Sequence, residues 1–243
     1  YTTSSEYEVD HLKKPVYGYS DDEIALTGMA RFDGLVNRDK KQILITPTWR
    51  RSIVGDAGRN TARNYSDAFR QSSYYKIYNN LINDERIIQT AKRKGYRVIF
   101  LLHPLMSAQA EDYDRNDYVD FLQASGDMSY EKILTESSLM VTDYSGIHYD
   151  FGYMRKPVIY YQPKEVPMRF EEGGMKFKTM GFGPLCTEYE EAVSLICEYV
   201  ENDCRIPETY KANADDFFAF DDCGNCSRIY DEIYRWTEDR KNK

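Results

Sequence analysis

Residues 139–161 read LMVTDYSGIHYDFGYMRKPVIYY, and the fold of the whole chain follows from this stretch. Leu139 to Thr142 is a buried strand, Asp143-Tyr144-Ser145-Gly146 a tight turn, and the next residues a short helix. A second buried strand begins at Pro157. A strand that passes through a small-residue turn into a helix leaves backbone N–H groups unpaired at the positive end of the helix dipole, an arrangement that attracts phosphate. The same residues also read as a plain helix cap, since Asp and Ser are favoured there.

Other strands of the same kind lie upstream. Lys41 to Thr46 (KQILIT) and Arg97 to Leu102 (RVIFLL) are nearly continuous apolar runs, as expected where helices cover both faces of a sheet. The first ends in Pro47-Thr48-Trp49-Arg50 and the second in His103-Pro104. Proline disfavours helix in the residue before it, which stops the second strand at His103. Between them, Ser73 to Lys94 carries apolar residues at i, i+3, i+4 spacing and predicts one helix, or two broken near Asn83. Val119 to Leu122 is a further short strand, Asp127 to Glu136 a helix, and Leu185 to Thr187 an edge strand. Strand and helix alternate throughout, so the expected fold is α/β, a Rossmann-like parallel sheet with helices on both faces.

In such sheets ligands gather beyond the carboxyl ends of the strands. Pro47, Thr48, His103 and the Asp143-Tyr144-Ser145-Gly146 turn all fall at predicted strand ends and converge although they are far apart in sequence. Asp150, one helical turn beyond Ser145, is placed to face the same pocket and accept hydrogen bonds from hydroxyls. It reads equally as a carboxylate answering the helix dipole, and His103 equally as a surface histidine.

Residues 1–38 read as a linker or the end of a preceding domain, and residues 39–243 as the Rossmann-like domain. Arg51 to Ser72 is a long loop, and the glycine-rich run through Glu171-Glu172-Gly173-Gly174 to Gly183 suits either a lid or a surface excursion. Tyr189 to Asn202, Pro207 to Phe218 and Ser227 to Trp236 are helices, the last with Ile229, Tyr230, Ile233 and Tyr234 on its inner side. Asp112-Tyr113-Asp114 reads as a solvated turn rather than a metal site.

The 243 residues carry a net charge of −8, against general affinity for nucleic acid, although the first third is locally basic through Arg31, Arg38, Lys40, Lys41, Arg50, Arg51, Arg59, Arg63 and Arg70. No apolar run approaches the roughly 18 residues of a membrane span, and the first ten residues lack a signal peptide's pattern, so the expected location is cytoplasmic. Five scattered cysteines are expected to be reduced; Cys223-Gly-Asn-Cys226 has redox or zinc spacing but reads as a turn opening the last helix.

Taken together, Thr27-Gly-Met-Ala-Arg31-Phe-Asp33, Ile45-Thr-Pro47-Thr48-Trp-Arg50, Leu102-His103-Pro104, Val141-Thr-Asp143-Tyr-Ser145-Gly-Ile-His-Tyr-Asp150-Phe, Lys156-Pro157-Val-Ile and Asp221-Asp222-Cys-Gly-Asn-Cys-Ser-Arg228 resemble the CDP-glycerol glycerophosphotransferases of teichoic acid synthesis and their CDP-ribitol relatives. The resemblance covers nearly the whole chain. It implies the C-terminal, donor-binding half of a two-domain GT-B transferase. It further implies that a hydroxyl of a polyol phosphate or lipid-linked acceptor attacks the glycerol-bearing phosphate of CDP-glycerol, or its CDP-ribitol counterpart, and expels CMP.

Carried over by position, the resemblance implies that Arg31, Pro47, Thr48, His103, Ser145, Gly146 and Asp150 contact the donor, with His103 as the catalytic residue and no metal or cofactor expected. The resemblance further implies an N-terminal acceptor domain as partner and a peripheral place at the inner face of the membrane. Three departures stand out. The family commonly has a basic residue where this chain has Leu101, and often a second serine where it has Gly146. Its early Trp-His-Gly-Thr-Pro segment, which holds the presumed base, is not found here. A non-catalytic nucleotide-binding module and a GT-B transferase with another activated donor are the competing readings.

Overall fold

The computed structural model describes residues 1–56, 63–123, 129–168 and 175–241. Arg59, the start of the helix expected from Asp127, and the Glu171-Glu172-Gly173-Gly174 run fall outside them.

The chain opens with strand β1 (Thr2–Thr3), helix α1 (Glu6–Leu12) and strand β2 (Ala25–Leu26), the two strands pairing in parallel. A short 3-10 stretch, Ala30–Gly34, follows and buries Phe32. Next come β3 (Gln42–Ile45), α2 (Ser73–Ile82), α3 (Glu85–Lys94), β4 (Arg97–Leu102), β5 (Val119–Gln123), α4 (Tyr130–Glu136) and β6 (Ser137–Thr142). The chain continues through α5 (His148–Tyr153), β7 (Val158–Tyr161), α6 (Phe177–Met180), β8 (Leu185–Cys186), α7 (Tyr189–Glu201), α8 (Glu208–Phe217) and α9 (Asn225–Lys241).

Six strands form one parallel sheet in the order β5-β4-β3-β6-β7-β8. The chain builds outward from β3 in one direction, then returns to β6 and builds outward in the other. The order therefore reverses between β3 and β6, the doubly wound arrangement in which the crevice at the reversal takes the ligand.

Strand residues alternate between two apolar layers, as the two-residue pleat requires. Ile43, Ile45, Val98, Phe100 and Val141 pack with Leu81, Ile87 and Ile196 of α2, α3 and α7. Leu44, Ile99, Met140 and Tyr160 pack on the other side with Leu134, Phe151 and Phe217 of α4, α5 and α8. Phe32 joins this second layer, stacking on Tyr153 at 4.5 Å between ring centres. The first 35 residues are thus packed onto the sheet domain through Phe32 and Leu35.

The region from Ser73 to Lys94 resolves into two helices, because Asp84 caps the second by accepting from the Arg86 N–H at 2.9 Å. Two expectations need correction. Asp112-Tyr113-Asp114 is solvated only at Asp114, which is exposed. Asp112 and Tyr113 are buried, with Asp112 paired to Arg70 at 3.0 Å, and the Asp114 carboxylate accepts from Asn79 at 2.8 Å. The apolar residues of α9 do not face inward either, since Tyr230, Ile233 and Tyr234 are 67%, 59% and 57% exposed. Helical periodicity marks a stripe but not what covers it. Here α9 is tied down at its N-terminal end and borders an open groove of about 720 Å³ beside Tyr1, Tyr19 and Ile24.

That tie comes from Asp33. Its Oδ1 accepts from the Asn225 N–H and side-chain amide at 2.9 and 2.6 Å, and its Oδ2 from the Cys226 N–H at 2.8 Å. A carboxylate 192 positions away thus caps α9. Gly28 makes room for it: its φ is +77°, and a Cβ there would lie 1.7 Å from Asn225 Oδ1. Cys223 and Cys226 are free and exposed, in the turn and first helical positions expected of them.

Candidate functional site

Where β3 and β6 end, the seam between them continues through side chains. Thr46 N–H donates to Val141 O at 2.9 Å, and the Thr142 hydroxyl donates to Thr46 O at 2.7 Å. Asp143 carries the seam further. It is fully buried, and its Oδ1 accepts from the N–H groups of Thr48 and Tyr144 at 2.8 and 2.7 Å. Its Oδ2 takes the Arg50 guanidinium at 2.7 Å. Arg50, 7% exposed, donates its other terminal nitrogen to Thr48 O at 2.7 Å and lies against the Tyr74 and Tyr144 rings. A buried guanidinium held through both terminal nitrogens is a strut, not a ligand-binding cation.

The strut holds two loops around a cavity of about 310 Å³, whose walls include Pro47, Thr48, His103, Ser145 and Gly146. Five of the seven candidate donor residues therefore meet in one place. The N–H groups of Ser145 and Gly146 have no acceptor among the described residues. Helix α5 starts only at His148 and has six residues, so these amides belong to the turn, not to a helix end. The Thr48 hydroxyl oxygen is buried and also unpartnered. Unpaired polar groups converging on a cavity are what an anionic, hydrogen-bonding ligand would satisfy.

His103 ends β4 in extended backbone, and its Nδ1 accepts from the Leu105 N–H at 3.2 Å. In the neutral ring this leaves the proton on Nε2 as a donor. Burial pushes the imidazole pKa below its ordinary value. A phosphate arriving beside it would favour the charged form and pull the value back up. Leu101 is buried and brings no charge to this cavity. Most cations of the basic first third are already paired, Arg38 and Lys40 with Glu131 and Glu136 and Arg70 with Asp112. Arg63 instead lies 5.5 Å from the Trp49 ring at the cavity edge.

Arg31 and Asp150 line a second cavity of about 360 Å³, adjacent to the first, with Tyr130, Gly146 and Ile147 in both walls. They form an ion pair, Nε to Oδ1 at 3.0 Å, with Asp150 buried and Arg31 half exposed. Burial pushes the Asp150 carboxyl above its ordinary value, and the hydrogen bonds from Arg31 oppose this. The groove beside α9 is larger but lies away from the strand ends. Among the described residues no group of His, Cys, Asp or Glu is arranged to hold a metal ion.

Sequence reading did not assign Asp143 and Arg50 as partners, nor Ser4 and Glu8, which bring α1 to the wall of the second cavity. Both members of the strut stand in the motifs quoted above, but their pairing spans 93 positions and carries no local signal.

The sequence profile of CDP-glycerol:poly(glycerophosphate) glycerophosphotransferases matches residues 1–235. The chain belongs to this family. It is 38% identical over 234 residues to the minor teichoic acid biosynthesis protein GgaB of Bacillus subtilis, covering 95% of this chain and 26% of that protein. It is 25% identical over 205 residues to the teichoic acid poly(glycerol phosphate) polymerase of the same organism, covering 82% of this chain and 24% of the polymerase. The chain thus spans about a quarter of the length of these curated relatives. The solved wall teichoic acid polymerase TagF superposes with a TM-score of 0.64 at 18% identity, over 98% of this chain and 58% of that one, which establishes a shared fold.

Proposed function

We propose that this chain is the donor-binding part of a transferase that moves glycerophosphate from CDP-glycerol to a hydroxyl of a teichoic-acid-like polyol phosphate, releasing CMP. The observation that carries the reading is the convergence of Thr48, His103, Ser145 and Gly146 on one cavity at the order reversal of the sheet. Family membership supports it, as does a form of TagF soaked with CDPG.

In this reading a new P–O bond forms to the acceptor oxygen while the bond to the CMP phosphate breaks. Negative charge builds on the leaving CMP, where the Nε2–H of His103, protonated on ligand binding, and the turn amides of Ser145 and Gly146 meet it without a cofactor. The acceptor hydroxyl gives its proton to a base supplied from outside the donor cavity, on an acceptor domain that completes the site. The acceptor, a polyol phosphate or lipid-linked chain, places the work at the inner face of the membrane. Among the described residues no helix is long and apolar enough to cross it.

Calorimetric titration with CDP-glycerol, CDP-ribitol, UDP-sugars and CMP tests the reading. Binding of CDP-glycerol that is lost on His103→Ala is the expected result. A response to UDP-sugars with none to the CDP compounds would overturn it.

A further inference from the structure

The second cavity has a different chemical character from the first. Where the diphosphate cavity offers N–H groups and an imidazole, this one is walled by two carboxylates, Asp150 and Glu8, and by one cation, Arg31, already paired with Asp150. Its remaining charge is negative. A phosphate is repelled from such a wall, whereas hydroxyl groups, which donate to carboxylate oxygens in charge-assisted hydrogen bonds, suit it.

Glu8 is oriented for this. Its Oε2 accepts from the Ser4 N–H at 2.6 Å and the Ser4 hydroxyl at 2.7 Å, while its own N–H donates to the capping Ser5 hydroxyl at 3.1 Å. Both bonds fix the first turn of α1 and hold one carboxylate oxygen in place. The other, Oε1, has no hydrogen-bond partner among the described residues. Met29, Phe32 and Ile147 supply an apolar floor for the carbon chain of a polyol. Gly146 stands in the wall of both cavities, and a Cβ there would meet nothing within 4 Å.

Resting on the donor reading above, we infer that Glu8, beside Asp150, binds the hydroxyl end of the donor's polyol, with the ligand threaded past Gly146 so that phosphate and hydroxyls lie in separate, chemically matched cavities. Glu8 is thereby a residue that discriminates a polyol donor from a nucleotide lacking those hydroxyls. A site that hydrogen-bonds a substrate hydroxyl rejects the analogue without it, because its own groups are then left unpaired.

The test is calorimetric titration of the chain and its Glu8→Gln variant with CDP-glycerol, CDP-propanol and CMP. Glutamine keeps an acceptor for Ser4 but loses the charge. CDP-glycerol affinity should fall about tenfold in the variant, the typical size for a hydrogen bond to a charged group, while CDP-propanol and CMP affinities stay unchanged. Glu8→Asp, which keeps the charge and withdraws the carboxylate by one methylene, should show the same pattern at smaller amplitude, guarding against misfolding of the first variant.

CDP-glycerol affinity unchanged in both variants, or all three ligands weakened alike in Glu8→Asp, would overturn the inference while leaving the donor reading intact. Failure of the unaltered chain to bind CDP-glycerol would remove both. If glycerol 3-phosphate added to the CMP-saturated chain binds in a Glu8-dependent way while CDP-glycerol does not, the hydroxyls belong to the acceptor and the assignment to the donor is wrong.

Discussion

Arg50 and Asp143, 93 positions apart, meet at 2.7 Å in the interior, and Asp143 is the point from which both loops of the candidate site are held. Its carboxylate fixes the backbone of Thr48 on one side and of Tyr144 on the other. Removing one member of such a pair strands a charge out of water. Asp143→Asn or Arg50→Ala should each cost about 3–5 kcal/mol of stability, read as a lowered urea midpoint. Donor affinity should fall as well, because the Thr48 loop loses its anchor.

Thr48 itself offers the converse experiment. Its hydroxyl is buried without a partner, a standing cost in the free chain. Thr48→Val should leave the urea midpoint unchanged or raise it, while weakening CDP-glycerol binding about tenfold. A variant that gains stability and loses ligand separates a binding group from a structural one.

Proton uptake on binding follows from His103. Its folded pKa is lowered by burial, so at neutral pH the free ring is uncharged, and a bound diphosphate favours the imidazolium. Calorimetry at pH 7 in buffers of different ionisation enthalpy should show a fraction of a proton taken up with CDP-glycerol. Affinity should decline between pH 6 and 8, the range over which the imidazolium is given up.

Acid sensitivity has a separate source. His148 is buried among the rings of Tyr149, Tyr160, Phe177 and Phe182, with Nδ1 3.0 Å from the Tyr160 hydroxyl. Burial pushes its pKa down to about 3. The unfolded chain takes up this proton near its ordinary value of about 6.5 while the folded chain does not. Stability is therefore whole above that value and is lost as pH falls toward about 3. From pH 7 to 5 the loss through this residue should be about 2 kcal/mol. His148→Gln should show a correspondingly shallower acid limb in urea unfolding.

At the last helix, Gly28→Ala forces a Cβ into Asn225 at a backbone angle that disfavours any side chain. It should cost more than Asp33→Ala, which removes only the cap of α9 and is worth about 1–2 kcal/mol. Thermal midpoints of the two variants give the comparison.

The parts legible in the sequence are those with a local cause. β4 at Arg97–Leu102 and β7 at Val158–Tyr161 have the bounds that apolar runs and prolines give them. The break before Asp84 has a capping residue to announce it, and strand ends placed Thr48, His103 and Ser145 together. What could not be read are partners chosen across the fold. Arg31 meets Asp150 over 119 positions and Asp33 meets Asn225 over 192, and nothing near either residue announces the other. The α9 stripe shows the same gap: its period was plain, its exposure was not.

The capping of α9 by Asp33 also orders events in time. A contact between residues 192 apart closes late, since the chain between them must be made and the entropy of the loop overcome before the bond forms. The β3 to β6 crevice, with His103 and the Ser145 turn, is lined by residues from the middle of the chain. During synthesis the segment carrying Glu8 and Arg31 would gain its last anchor, beyond the Phe32–Tyr153 stack and the Arg31–Asp150 pair, only when α9 arrives.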